Sequence, residues 1–184
     1  MKKIIIILLS VLLIAPAFAQ ESKKEQKKAA KEAKKEQKAQ QEAVDAAIMK
    51  ASLTAQQFVL EADFLADKGG RRIVVQSNLN FVGVDGDKGA FQFGNGQSVG
   101  YNGVGGVTVE GDVKDFEMKE SKNGTFIVNF RIVSSFGNIF VNMSVSPGGN
   151  ATANVKGNSS ATLRYSGTIV SLAESRVYKG SRIL

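Results

Sequence analysis

From Ser52 onward, apolar and polar residues alternate with a period of two, the repeat of a β-strand with one buried and one solvated face. In the first run Phe58, Leu60, Ala62 and Phe64 fall on one face, with Gln57, Glu61 and Asp63 on the other. Val107, Val109 and Val113 alternate with Thr108, Glu110 and Asp112. Phe126, Val128, Phe130 and Ile132 come next, then Ile139, Val141, Met143 and Val145, and last Leu163, Tyr165, Gly167 and Ile169. Turn residues separate the runs: Asp85-Gly86-Asp87-Lys88-Gly89, Lys122-Asn123-Gly124, Phe136-Gly137-Asn138, Pro147-Gly148-Gly149-Asn150 and Lys156-Gly157-Asn158. Connections this short join neighbouring antiparallel strands, because a parallel crossover needs a dozen or more residues. The spacing predicts about eight strands, near 57–65, 79–84, 89–93, 106–112, 115–120, 125–135, 138–146 and 150–170, the last stretch holding two. The chain is therefore expected to be all-β. Eight meandering strands close most naturally into an antiparallel up-and-down β-barrel, lipocalin-like, with a β-sandwich as the alternative.

Two segments precede this domain, which spans residues 52–184. Lys2-Lys3, an apolar run from Ile4 to Ile14 broken by Ser10, Pro16, and then Ala17-Phe18-Ala19 make the pattern of a secretory signal peptide over residues 1–19, cleaved after Ala19. The run is shorter than the roughly 20 residues of a spanning helix, so no transmembrane segment is expected after cleavage. The expected destination is the periplasm of a Gram-negative cell, or the medium.

Residues 20–51 are mostly Lys, Glu, Gln and Ala, good helix formers, with no Gly or Pro. Opposite charges stand at helical spacing in Glu21–Lys24, Glu25–Lys28, Lys28–Glu32 and Glu32–Lys35, while Lys23–Lys27, Lys27–Lys31 and Lys31–Lys35 repel. An apolar face begins only with Ala43, Val44, Ala47, Ile48 and Ala51. The segment reads as a coiled-coil-like, Lys/Glu-rich helical spacer. Its residues 23–38 also offer a weak contact to an anionic surface such as lipopolysaccharide or phospholipid headgroups.

Composition excludes much chemistry. With no His and no Cys in 184 residues, the chain has no Ser-His-Asp or Cys-His machinery, no imidazole base, no zinc site of the usual N/S type and no disulfide. The net charge of +7 resolves into +2 over residues 1–20, +3 over 21–50 and +2 over 51–184. The basic balance thus lies largely outside the β-domain, and no nucleic-acid partner is expected.

The β-domain also resembles a known family. Phe58-Val59-Leu60-Glu61-Ala62-Asp63, Asn80-Phe81-Val82-Gly83-Val84-Asp85-Gly86-Asp87, Tyr101-Asn102-Gly103-Val104-Gly105-Gly106-Val107-Thr108, Glu110-Gly111, Tyr165-Ser166-Gly167-Thr168-Ile169-Val170 and Val177-Tyr178-Lys179-Gly180 occur in that order. Over roughly residues 55–181 they resemble an uncharacterised family of exported bacterial proteins, domain-of-unknown-function family 4251. The resemblance implies a periplasmic β-rich domain, commonly from gut bacteria, and brings no activity or functional residue with it.

Three clusters merit weighing as sites. Gly94-Asn95-Gly96 to Gly105-Gly106 is rich in glycine, but no helix pattern comes after it and the G-x-G-x-x-G spacing fails, so a turn or bulged strand is expected rather than a phosphate loop. Asp85-x-Asp87-x-Gly89 has the opening of a calcium loop, yet Ala90 and Gly96 stand where an EF-hand needs Gly and Glu; a hairpin turn explains the same residues. Asp112, Asp115 and Glu117 could pair for glycoside hydrolysis, but nothing brings them to a cleft. Asn123, Asn142, Asn150 and Asn158 begin N-x-S/T triplets and read as strand and turn residues in a bacterial envelope. No catalytic, metal or cofactor residues are expected, and the protein is not expected to be an enzyme. What remains is non-covalent binding. The expected contact region is the barrel mouth near Phe81, Tyr101 and Asn102, with a small hydrophobic or amphipathic ligand held inside the barrel. The alternative is an envelope interaction module with a packed barrel and a helical spacer; large side chains facing inward would favour it.

Overall fold

The structure is a computed structural model describing residues 15–97, 100–158 and 162–180. The apolar run of the expected signal peptide lies outside the described residues. The chain divides between Ala43 and Val44 into two compact units.

Helix α1 spans Ala15–Thr54. Up to Ala43 it forms the first unit, and the described side chains there are solvent-exposed. The lack of an apolar stripe accounts for this, since such a helix has nothing to bury. From Val44 the helix belongs to the second unit, where Met49 and Leu53 enter the hydrophobic core. Lys50 bonds Glu120 at 2.8 Å and lies 5.6 Å from the Phe126 ring centroid. Gln56, at φ 55°, turns the chain out of the helix into the first strand.

Nine strands come after it: β1 Gln57–Ala66, β2 Arg72–Val74, β3 Phe81–Asp85, β4 Lys88–Phe93, β5 Val107–Glu120, β6 Phe126–Ser134, β7 Gly137–Val145, β8 Asn150–Lys156 and β9 Thr162–Ser171. From β3 to β9 each pairs antiparallel with the next. β1 pairs with both β3 and β9, which closes an eight-stranded antiparallel barrel. The extra strand β2 lies beside the end of β1, with Phe64 opposite Val74. Closure decides between barrel and sandwich, because it leaves the eight strands without a free sheet edge between them.

Three expectations need correction. Phe64 does not continue the inward face of Phe58, Leu60 and Ala62. A bulge between Ala62 and Phe64 reverses the alternation, so Leu65 is buried and the outward Phe64 carries the Arg72 guanidinium 3.5 Å from its ring centroid. Gly167 lies opposite Ala62, where a Cβ would collide with the Glu61 carbonyl oxygen. The expected strands 106–112 and 115–120 are a single strand, β5, bent by a second bulge at Asp115 (φ 57°). Val113-Lys114-Asp115 has no Gly or Pro, and Asp115 takes up the left-handed conformation alone, so the chain bends there without breaking the ladder. Phe116 then packs toward the core, with its centroid 6.4 Å from Phe58 and 5.9 Å from Phe130. The third correction is β2, whose three exposed residues show no alternation long enough to read.

A hydrophobic core occupies the barrel interior. Phe58, Leu60, Val84, Phe130, Ile132 and Met143 are buried in one continuous core with residues from every barrel strand and the end of α1. Gly89 faces inward, and a Cβ there would come 2.8 Å from Ile132 Cγ1. Tyr165 reaches across from β9 and donates its hydroxyl to the Gln92 carbonyl at 3.1 Å. Burial pushes the Tyr165 phenol well above its ordinary value, because a phenolate there would have no water.

Candidate functional site

The chemistry-bearing side chains of β1, β3, β4 and β5 lie on the outside of the barrel. Strand registers place them in three rows: Glu61–Phe81–Gln92–Thr108, Val59–Gly83–Ala90–Glu110, and Gln57–Asp85–Lys88–Asp112. The first row is covered by the C-terminal segment after β9, which runs across it as a strap. Glu61 Oε1 accepts from Ser175 Oγ and the Arg176 amide, both at 2.9 Å. Gln92 donates to the carbonyls of Leu79 and Tyr178 at 3.0 and 2.9 Å, and its Oε1 accepts from Thr108 Oγ1 and the Gly180 amide, both at 2.8 Å. Lys179 Nζ meets Glu110 at 2.6 Å, and the Tyr178 amide bonds the Asn78 carbonyl. A fully buried amide with all its bonds made is a fastening, since leaving it unpaired would cost a few kcal/mol.

Beyond the strap, the small residues Gly83 and Ala90 of the second row leave a groove of about 550 Å³. Val59, Phe81, Leu172 and Val177 supply its apolar lining, and Asp85, Lys88, Glu110, Asp112 and Lys179 its charged rim. Lys88 and Asp112 pair at 2.6 Å, which raises the lysine and lowers the carboxyl from their ordinary values. The groove combines an apolar floor with both signs of charge on its rim. Among the described residues no group of three or more His, Cys, Asp or Glu could hold a metal ion.

The expected contact residues separate here. Phe81, only 2% exposed, points outward and forms part of the groove floor. Asn102, 1% exposed, is consumed by its own loop: Nδ2 donates to the Phe93 carbonyl and Thr108 Oγ1, and Oδ1 accepts from the amides of Val104 and Gly106. Tyr101 is 87% exposed on that loop. Of the three, Phe81 and Asn102 are thus buried, and Tyr101 stands exposed. The glycine-rich segment is a β4–β5 connection, as the turn reading has it, folded back by Asn95 and Gly96 amides on the Val104 carbonyl. Asp85 and Asp87 belong to the β3–β4 hairpin, with Gly86 at φ 60°. Sequence reasoning missed Gln92 and the strap; a Gln set between Phe91 and Phe93, and the closing Val177-Tyr178-Lys179-Gly180, are the available signals.

Over residues 23–169 the chain matches the family described as Domain of unknown function (DUF4251). The match starts within α1, so the helix is part of what the family shares, not only the stretch from residue 55. Among solved structures, the chain is similar to a DUF4251 family protein from Bacteroides eggerthii DSM 20697, with 36% identity, covering 72% of this chain and 91% of that chain at a TM-score of 0.63. No curated protein matches it.

Proposed function

This chain belongs to the DUF4251 family, and from that premise we propose that it is a non-enzymatic binding module of the cell envelope that works through the outside of a packed barrel. The hydrophobic core inside the barrel carries this reading: Phe58, Phe130, Met143 and Tyr165 occupy the space a lipophilic cargo would need. The signal-like sequence of residues 1–19 supports export, and the outer groove of about 550 Å³ supports a partner with both apolar and charged groups.

Site-specific photo-crosslinking in the protein's own cells tests it. A photoreactive residue at Leu172, in the groove, is expected to give a discrete adduct that Ala90→Leu abolishes by filling the floor. The same residue at Phe136, in the β6–β7 turn, is expected to give none. Native mass spectrometry of the protein from its own cells is expected to show no bound small molecule. A stoichiometric lipid displaced by Met143→Trp would replace the packed-barrel reading with the carrier one.

A further inference from the structure

The exposed part of α1 sorts its charges by face. At about 100° per residue, Lys23, Lys27, Lys28, Lys31, Lys34, Lys35 and Lys38 all fall within an arc of about 140°. Glu25, Glu32 and Glu36 cluster on the adjoining arc of about 40°. Ala29, Ala30, Ala33, Gln26, Gln37 and Gln40 fill the remaining, neutral side. All these side chains are exposed. Spacing for internal ion pairing alone does not need this: it would be met equally well with lysines all around the helix. The Lys38–Glu42 ion pair, at 3.6 Å, closes the C-terminal end of the stripe.

We propose that this face is a docking surface for an anionic lipid bilayer, on which the helix lies lengthwise. The lysine stripe from Lys23 to Lys38 extends about 22 Å at 1.5 Å per residue. It is a straight cationic line, matched by a planar array of headgroup phosphates rather than by the limited carboxylates of a small acidic protein. The neutral side carries only Ala and Gln, so the helix rests on the headgroups without inserting. Attachment is therefore electrostatic, additive over the lysines and weakened by salt. The inference is independent of the barrel groove, and either can fail alone.

A permuted helix tests it. The variant combines Q26K/K27Q, A30K/K31A, A33K/K34A and Q37K/K38Q, which moves four lysines to the opposite side without changing composition, net charge or any residue before position 23. Both chains, processed by their own cells, are measured on vesicles of phosphatidylcholine with about 30% phosphatidylglycerol, and on phosphatidylcholine alone, in about 50 and about 500 mM salt. The native chain is expected to partition onto the anionic vesicles at low salt at least about tenfold more strongly than the permuted one, and to leave at high salt. Arg at positions 27, 31, 34 and 38 is expected to keep the binding, and circular dichroism to show equal helix in all chains. Equal partitioning of native and permuted chains overturns the inference, because net charge alone would then suffice. Equal partitioning onto neutral vesicles overturns it as well.

Discussion

Tyr165 shows how one polar atom is accommodated in a packed barrel. Its hydroxyl makes a 3.1 Å bond to the Gln92 carbonyl, and its ring meets Phe91 edge-on with centroids 5.6 Å apart. Tyr165→Phe is expected to lower stability at neutral pH by about 1 kcal/mol, read from denaturant midpoints. The pH dependence has a definite sign. The folded-state value lies above the unfolded value near 10, so the unfolded chain loses its proton first. The contribution is complete below pH about 10 and declines as pH rises above it. The phenylalanine variant is expected to have a shallower alkaline loss; identical alkaline slopes would remove the buried phenol from the explanation. Gly89 makes the opposite case, a position kept empty. Gly89→Ala pushes a methyl toward Ile132 and Val113 and is expected to cost roughly 1–3 kcal/mol.

At the scale of elements, the strap is held by hydrogen bonds that it donates to Glu61 and Gln92 and by the Lys179–Glu110 ion pair. Gln92→Ala leaves the Gly180 amide and Thr108 hydroxyl without their acceptor and is expected to cost roughly 2–3 kcal/mol. Hydrogen exchange is expected to show protection falling at Tyr178 and Gly180 while amides of β6 and β7 keep theirs. Uniform loss across the barrel would mean that Gln92 holds the whole fold and not the strap. The period-two runs made the strands β6, β7 and β9 readable, because their alternation is long and their turns carry Gly or Asn. The bulges at Asp63 and Asp115 were not readable: an extra residue in a strand shifts the phase of the residues after it without changing composition. Gly167 hinted at the first, since a strand glycine often marks close backbone approach.

At the scale of the whole molecule, α1 has two fates along one continuous helix. Up to Ala43 it is exposed, and from Val44 it contributes Met49 and Leu53 to the barrel core. Removing residues 21–43 is expected to leave the melting temperature nearly unchanged. Leu53→Ala is expected to cost about 2–5 kcal/mol through the cavity it opens. A melting temperature indifferent to Leu53→Ala would show that the helix end does not complete the core.

The sequence by itself determined what depends on local order along the chain. The alternation of Phe126 to Ile132 and Ile139 to Val145 specified antiparallel strands. The Lys, Glu and Ala content of residues 21–50 specified a helix, and the missing His and Cys removed whole classes of chemistry. Tertiary structure alone decided what depends on distant residues meeting. The β1–β9 pairing closed the barrel, and two bulges set which side chains enter it. The strap covered Phe81 and Gln92, residues whose strand position gave no sign of a cover more than eighty residues away in sequence. Pairing across such separations is selected by burial and hydrogen-bond satisfaction summed over the molecule, and no local pattern contains that sum.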